Sequence, residues 1–188
     1  SGEESINQVK LRAERLGVSG KGLYLLQTTA ISDVIEHLNN IKPVLLLVDS
    51  IQAMYVDTVS SSAGSVVQIK ECTRILMDWA KFNRVPAVLT GHVTKGGDIA
   101  GPRILEHMVD VVLYMEGDPV SSWRLLRSVK NRYGSTNEVG VFEMLRQGLV
   151  EVEDPSKTFL AERVEGAVGS VVVATLEGTR PMLVEVQA

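Results

Sequence analysis

The chain has 188 residues, 45% hydrophobic and 22% charged, with a formal net charge of −4, which suits one full globular α/β domain with part of another. The longest apolar run, residues 43–48, is far too short to span a bilayer. The lone Cys72 excludes an intrachain disulfide, one cysteine with three scattered histidines excludes a zinc cluster, and the net acidity excludes nucleic-acid binding through bulk charge.

In chain order, residues 5–16 place Ile6, Val9, Ala13 and Leu16 near helical period, with Gly17 as the stop. Residues 22–27 read as a short apolar strand. Residues 31–41 repeat Ile31, Val34, Ile35, Leu38 and Ile41, a helix that Thr29 or Ser32 is placed to cap and Pro43 ends. Residues 44–48 form an unbroken apolar run closing on Asp49, the pattern of a central strand buried on both faces. A Ser-rich loop (54–64), a long amphipathic helix (66–82) and a second buried strand from Ala87 follow. Residues 90–103 are rich in glycine and polar groups and read as a loop.

Three further strands are expected at 109–115, 123–129 and 139–144, the last two antiparallel and joined through 131–137. Residues 155–163 read as a linker, and 170–174 and 182–186 as two more strands. Strand–helix alternation followed by hairpins predicts an α/β fold with a mainly parallel sheet and antiparallel edge strands. The compositional shift near Glu165 predicts a boundary between residues 1–164 and 165–188. Both ends read as cuts through ordered structure.

Four stretches carry candidate chemistry. Leu45-Leu46-Leu47-Val48-Asp49-Ser50 puts a carboxylate at a strand's C-terminal tip, the ligand edge of a parallel sheet, where Asp49 can meet a magnesium ion through water. A plain Asp-Ser turn explains the same residues. Glu3, just before the first helix, can polarise an attacking water or simply favour the helix start. His92 stands where the second apolar strand ends, ahead of a glycine loop with Lys95 and Arg103, cations suited to a nucleic-acid backbone. A flexible crossover is the alternative. Lys130 and Arg132 flank Asn131 on a turn, placed either to stabilise phosphoryl-transfer charge or to solvate a hairpin. Gly20-Lys21-Gly22 does not satisfy GxxxxGK[ST] and reads as a turn. Cys72 reads as core.

Taken together, SGEES with QVKLRAERLG, LLLVDSIQ, GHVTKGGDIAGPRILEHMVD, KNRYGSTNEVGVFEM and DPSKTFLAER are similar to the RadA (Sms) family of RecA-related bacterial DNA-repair ATPases. The last stretch, GSVVVATLEGTRPMLVEVQA, resembles the opening of the Lon-protease-like domain of that family. The resemblance implies a RecA-like core in residues 1–164 and the start of the Lon-like domain in 165–188. It implies Glu3 as the water-activating glutamate, Asp49 as the magnesium-linked aspartate and His92 as the phosphate sensor. Thr94, Lys95, Gly96, Gly97 and Arg103 fall in the second DNA-facing loop, and residues 55–64 in the first. Lys130 and Arg132 match the KNRFG motif, expected to act across a subunit boundary, with Tyr133 in place of the commoner Phe.

The resemblance further implies ATP and Mg2+ as cofactors, single-stranded and branched DNA and a RecA-type recombinase as partners, a homo-oligomer in the form of a hexameric ring, and a cytoplasmic, nucleoid-associated protein with no membrane contact. The implied activity is DNA-dependent ATP hydrolysis in recombinational repair, driving branch migration or strand exchange. Neither the family's N-terminal zinc finger, with its zinc, nor its Walker A loop occurs in these residues. That loop is expected upstream of Ser1, separated by a helix, a strand and turns that need on the order of 20 residues. The 188 residues alone are therefore expected to be inactive. Another RecA-fold motor of helicase type, or a non-catalytic DNA- or partner-binding module, are the rival readings.

Overall fold

The computed structural model describes the chain apart from residues 19, 93–99, 118–121, 157–159, 161–168, 178 and 188. The chain folds as two compact units, Ser1–Val109 and Asp110–Ala188.

The first unit opens with α1 (Ile6–Arg15), started by a capping box: Ser5 accepts from the Gln8 backbone while the Gln8 side chain accepts from Ser5. Arg12 and Arg15 occupy its last turn, favourable to the carbonyl end of the helix. Gly17 then takes a φ of 66°, where only a residue without Cβ sits freely. The strand expected at 22–27 is not formed. Leu23, Tyr24 and Leu25 are exposed, and no neighbouring strand among the described residues offers them a ladder.

In α2 (Ile31–Ile41), Ile31, Val34 and Leu38 form the buried stripe. Its N-cap is Ala30, without a side-chain bond; neither Thr29 nor Ser32 caps it. Thr28 fixes the entry one step earlier, accepting from Ala30 N at 3.3 Å and donating to Asp33 Oδ2 at 3.0 Å. Lys42 closes the helix in the left-handed region at φ 50°, its N–H returning to the Leu38 carbonyl as at many helix ends, and Pro43 follows.

Strands β1 (Leu46–Val48) and β2 (Ala87–Leu89) pair in parallel, Leu46 opposite Ala87 and Val48 opposite Leu89. Leu46 and Val48 are buried, but Leu47 is 60% exposed, so the expectation of burial on both faces fails. Among the described residues only one face of this pair is covered, by α2 and α3 (Val66–Asn83). Ile69, Cys72 and Leu76 of α3 meet Val34 and Leu38 of α2 there. Residues 100–103, expected in a loop, belong instead to α4 (Ala100–Met108), whose Leu105 packs against this core.

The second unit is an antiparallel meander in the order β3 (Val111–Gly117), β4 (Trp123–Asn131), β5 (Val139–Leu145) and β6 (Gly148–Glu151). A hairpin of β7 (Ser170–Glu177) and β8 (Arg180–Gln187) completes it. Val141, Val152 and Met182 form its small core with Trp123 and Leu125. No helix among the described residues is long and apolar enough to cross a membrane.

Two buried groups in α3 define measurable properties. Gln68, 2% exposed, accepts from Val56 N at 2.8 Å and donates to the carbonyls of Val56, Val59 and Ser61 at 3.2, 3.0 and 2.9 Å. One amide thus holds the loop that follows β1. Gln68→Leu should lower unfolding free energy by about 2–4 kcal/mol, since several polar groups lose their partner at once. Urea denaturation measures the loss, and protease cleavage within residues 56–61 should rise with it.

Burial pushes the Cys72 thiol up to about 11. The unfolded thiol ionises first, so stability is whole below its ordinary value of about 8.5 and falls as pH rises through the folded one. At pH 8 a thiol reagent should modify the folded chain on the order of 100-fold more slowly than the denatured chain. Equal rates would show that Cys72 is not enclosed.

Candidate functional site

Parallel strands bring their C-terminal tips to one edge of a sheet. With Val48 opposite Leu89, the next residues, Asp49 and Thr90, leave the sheet side by side. Thr90 N continues the ladder to the Val48 carbonyl at 2.9 Å, and its Oγ1 donates to Asp49 Oδ1 at 2.5 Å. Ile51 N then donates to the Thr90 carbonyl at 3.0 Å, tying the short 3-10 turn Ile51–Ala53 to the exit of β2. The Asp49–Ser50 peptide bond is cis.

Residues 1 and 2 are fastened nearby: Gly2 N donates to the Asp49 carbonyl at 2.9 Å, and Ser1 N to the Leu26 carbonyl at 2.7 Å. Glu3 is thereby set beside the tip of β1. The fully buried Ser50 donates its hydroxyl to Glu3 Oε1. His92 Nε2 lies 3.3 Å from Glu3 Oε2. Each carboxylate oxygen of Glu3 therefore has a protein group against it. Asp49 has Thr90 on one oxygen and accepts no hydrogen bond on the other among the described residues.

The edge therefore carries two carboxylates in different states: Glu3 oriented from two sides, and Asp49 with an oxygen to spare. The first suits a group that takes a proton from a positioned water, the second a group that meets a cation. No cluster of three or more His, Cys, Asp or Glu that could hold a metal ion occurs among the described residues. A carboxylate with one oxygen to spare, such as Asp49, could meet a cation that brings most of its own ligands.

Glu3, Asp49 and His92, picked from the sequence, are brought together. Lys130 and Arg132 stand on the second unit. Lys130 lies opposite Val112 in the β3–β4 ladder. Arg132 follows β4, with its N donating to the Asp110 carbonyl at 3.1 Å and its Nη1 to Asp110 Oδ1 at 2.8 Å. Asn131 Oδ1 accepts from Tyr133 N at 3.0 Å, shaping the turn between the two cations and the glycine. Thr94, Lys95, Gly96 and Gly97 lie outside the described residues, and Arg103 falls in α4.

Ser50 and Thr90 are site residues that motif reading passes over. Thr90 carries a usable signal: it is the first polar residue after a short apolar strand, and two parallel strands of matched length must end together. Ser50 carries none beyond its place after Asp49.

With this geometry established, comparison with known proteins shows what the chain is similar to. Over all 188 residues the chain is 58% identical to the DNA repair protein RadA of Listeria monocytogenes and 52% identical to that of Bacillus subtilis. It covers 41% of the length of each, so it spans about two fifths of the curated relatives it matches. No family model matches the chain. Among solved structures, a KaiC-like protein from Pyrococcus horikoshii superposes with a TM-score of 0.59 at 17% identity, over 81% of this chain and 73% of that one. A second solved structure, an isolated ATPase domain, superposes with a TM-score of 0.62 at 14% identity, over 80% of this chain and 62% of that one. At these identities the likeness is one of fold, and the fold is that of RecA-like ATPase domains.

The attachment of Glu3 rests on a close approach at Gly2. A Cβ there would stand 2.7 Å from Ala53 Cβ and 3.1 Å from Met54 Cε. Gly2→Ala should cost about 1–3 kcal/mol, the usual penalty of overpacking, and Ala53→Gly in the same chain should recover most of it. Thermal denaturation of the single and double variants measures both. A harmless Gly2→Ala would mean that residues 1–3 do not lie against the turn.

Proposed function

We infer that this chain, which matches bacterial DNA repair protein RadA from end to end, carries the hydrolytic edge of a RecA-like ATPase that works on DNA in recombinational repair. The observation that supports the reading best is the meeting of Glu3, Asp49 and His92 at the C-terminal edge of β1 and β2. In RecA-like folds as in other parallel sheets, that edge is where a nucleotide rests.

In this reading ATP brings magnesium as part of the substrate. Asp49 meets the ion through water with its spare oxygen while Thr90 holds the other. Glu3 takes the proton of the attacking water, with Ser50 and His92 keeping its carboxylate turned toward the reacting phosphate. His92 senses the terminal phosphate and passes its presence to the segment containing Thr94, Lys95, Gly96 and Gly97, which with Arg103 grips DNA. Lys130 and Arg132 reach a neighbouring subunit's nucleotide and neutralise charge there. Residues 1–164 form the RecA-like core and 165–188 open the Lon-like domain. The assembly is a hexameric ring on single-stranded or branched DNA, serving a RecA-type recombinase.

The 188 residues contain no GxxxxGK[ST]. The backbone cradle and lysine that hold the phosphates must be supplied by other parts of the protein, and we propose that the 188 residues alone do not hydrolyse ATP. The same absence favours a second reading, a DNA-binding module indifferent to nucleotide.

In the full-length protein, Glu3→Gln should cut DNA-stimulated ATP turnover by about 100-fold or more, the scale of a lost general base, while ATP affinity stays within a few-fold. Lys130→Ala should abolish the DNA-stimulated part of turnover and leave the fold intact. Full activity in either variant would sink the role given to that residue. DNA retention measured with and without ATP separates the two readings: dependence on ATP supports the motor, and equal retention supports the module.

A further inference from the structure

The turn that follows Asp49 and Ser50 carries a side chain that no motif assigns. Gln52 sits in the 3-10 turn Ile51–Ala53, and its Nε2 donates to the His92 carbonyl at 3.1 Å. The amide reaches that carbonyl by lying against Gly91. A Cβ at Gly91 would stand 3.3 Å from Gln52 Nε2, a tight contact, and 3.4 Å from Oε1, at the edge of ordinary packing. The His92 imidazole is 69% exposed; among the described residues its ring meets Glu3 Oε2 and its main-chain carbonyl accepts from Gln52 Nε2.

The other end of the amide is informative. Gln52 Oε1 is closed off from solvent and meets no donor among the described residues. A buried carbonyl without a donor is unfavourable, and an apolar side chain of the same length would fill the space without it. Packing alone therefore does not account for glutamine here; the Nε2–His92 bond does.

We propose that Gln52 is a positioning residue: it anchors the His92 main chain so that the imidazole stays within reach of Glu3 Oε2. Its importance for turnover rests on the ATPase reading above; its hold on His92 does not. Gln52 touches no reacting atom. It acts through His92, linking the residues just after Asp49 to the end of β2.

The test is Gln52→Met in the full-length protein, a change that keeps length and removes the donor. With 13C-labelled histidine, the signal absent from His92→Ala identifies His92. In Gln52→Met that signal should move while the other histidine signals stay, which also establishes that the variant folds. kcat for ATP should fall about fivefold, the scale of one lost neutral hydrogen bond, with KM for ATP within twofold. An unmoved His92 signal overturns the inference whatever the turnover. A moved signal with unchanged kcat overturns its bearing on hydrolysis. A moved signal in a protein whose unaltered form hydrolyses no ATP leaves the anchoring established and sinks the ATPase reading instead.

Discussion

The parallel register of two three-residue strands is the constraint on which the rest of the first unit depends. Val48 opposite Leu89 places Asp49 beside Thr90, and through them Ser50, Gln52 and His92. A slip of one residue would turn Leu46 and Val48 outward and Leu47 inward. It would also separate the Thr90 hydroxyl from Asp49. Strands this short cannot hold a register by hydrogen bonds alone. The core holds it: Leu46 and Val48 must face Ile69, Cys72 and Leu76 of α3 and the buried stripe of α2. Packing energy far from the edge thus decides which polar groups stand at the edge.

Two carboxylates on one sheet edge repel unless each is given donors. Here the donors are divided. Thr90 serves Asp49; Ser50 and His92 serve Glu3. The division has a chemical result as well as a structural one. A carboxylate held on both oxygens has a fixed orientation toward whatever lies in front of it. A carboxylate held on one oxygen keeps a direction in which to meet a cation. Two groups of the same acidic chemistry are made different by their neighbours.

Much of this is legible in the sequence, and the parts that are not have physical causes. The helices α2 and α3 follow from apolar spacing because each buries a single stripe. The place of Asp49 at a strand tip is legible because an apolar run closes on it, although a plain Asp-Ser turn leaves the same pattern. The strand expected at 22–27 does not form because an apolar run signals a need for burial and does not supply a partner strand; Leu23, Tyr24 and Leu25 remain exposed. The two-sided burial expected at Leu47 fails for the same reason. The cap of α2 is ambiguous in the sequence because Thr29 and Ser32 are equally good cap residues, and the path of the chain makes neither the cap, leaving Ala30 there with Thr28 bonded to its N–H. Gln52 and Gln68 are invisible there: glutamine in a sequence says nothing about which carbonyl it will meet.

The second unit poses a different problem for its cations. Arg132 is fastened to Asp110 twice, by a backbone bond and by a side-chain ion pair. The two bonds are unequal in kind. The backbone bond closes the ladder of β3 and β4 and fixes where the turn begins. The ion pair joins side chains 54% and 34% exposed, and pairs so open to solvent contribute only about 0–1 kcal/mol. The main chain at Arg132 is therefore set firmly and the guanidinium lightly. The role proposed for Arg132, serving a phosphate on another subunit, would call for that combination: an origin that does not wander, and a head group whose home partner is easily displaced by a doubly charged oxygen cluster.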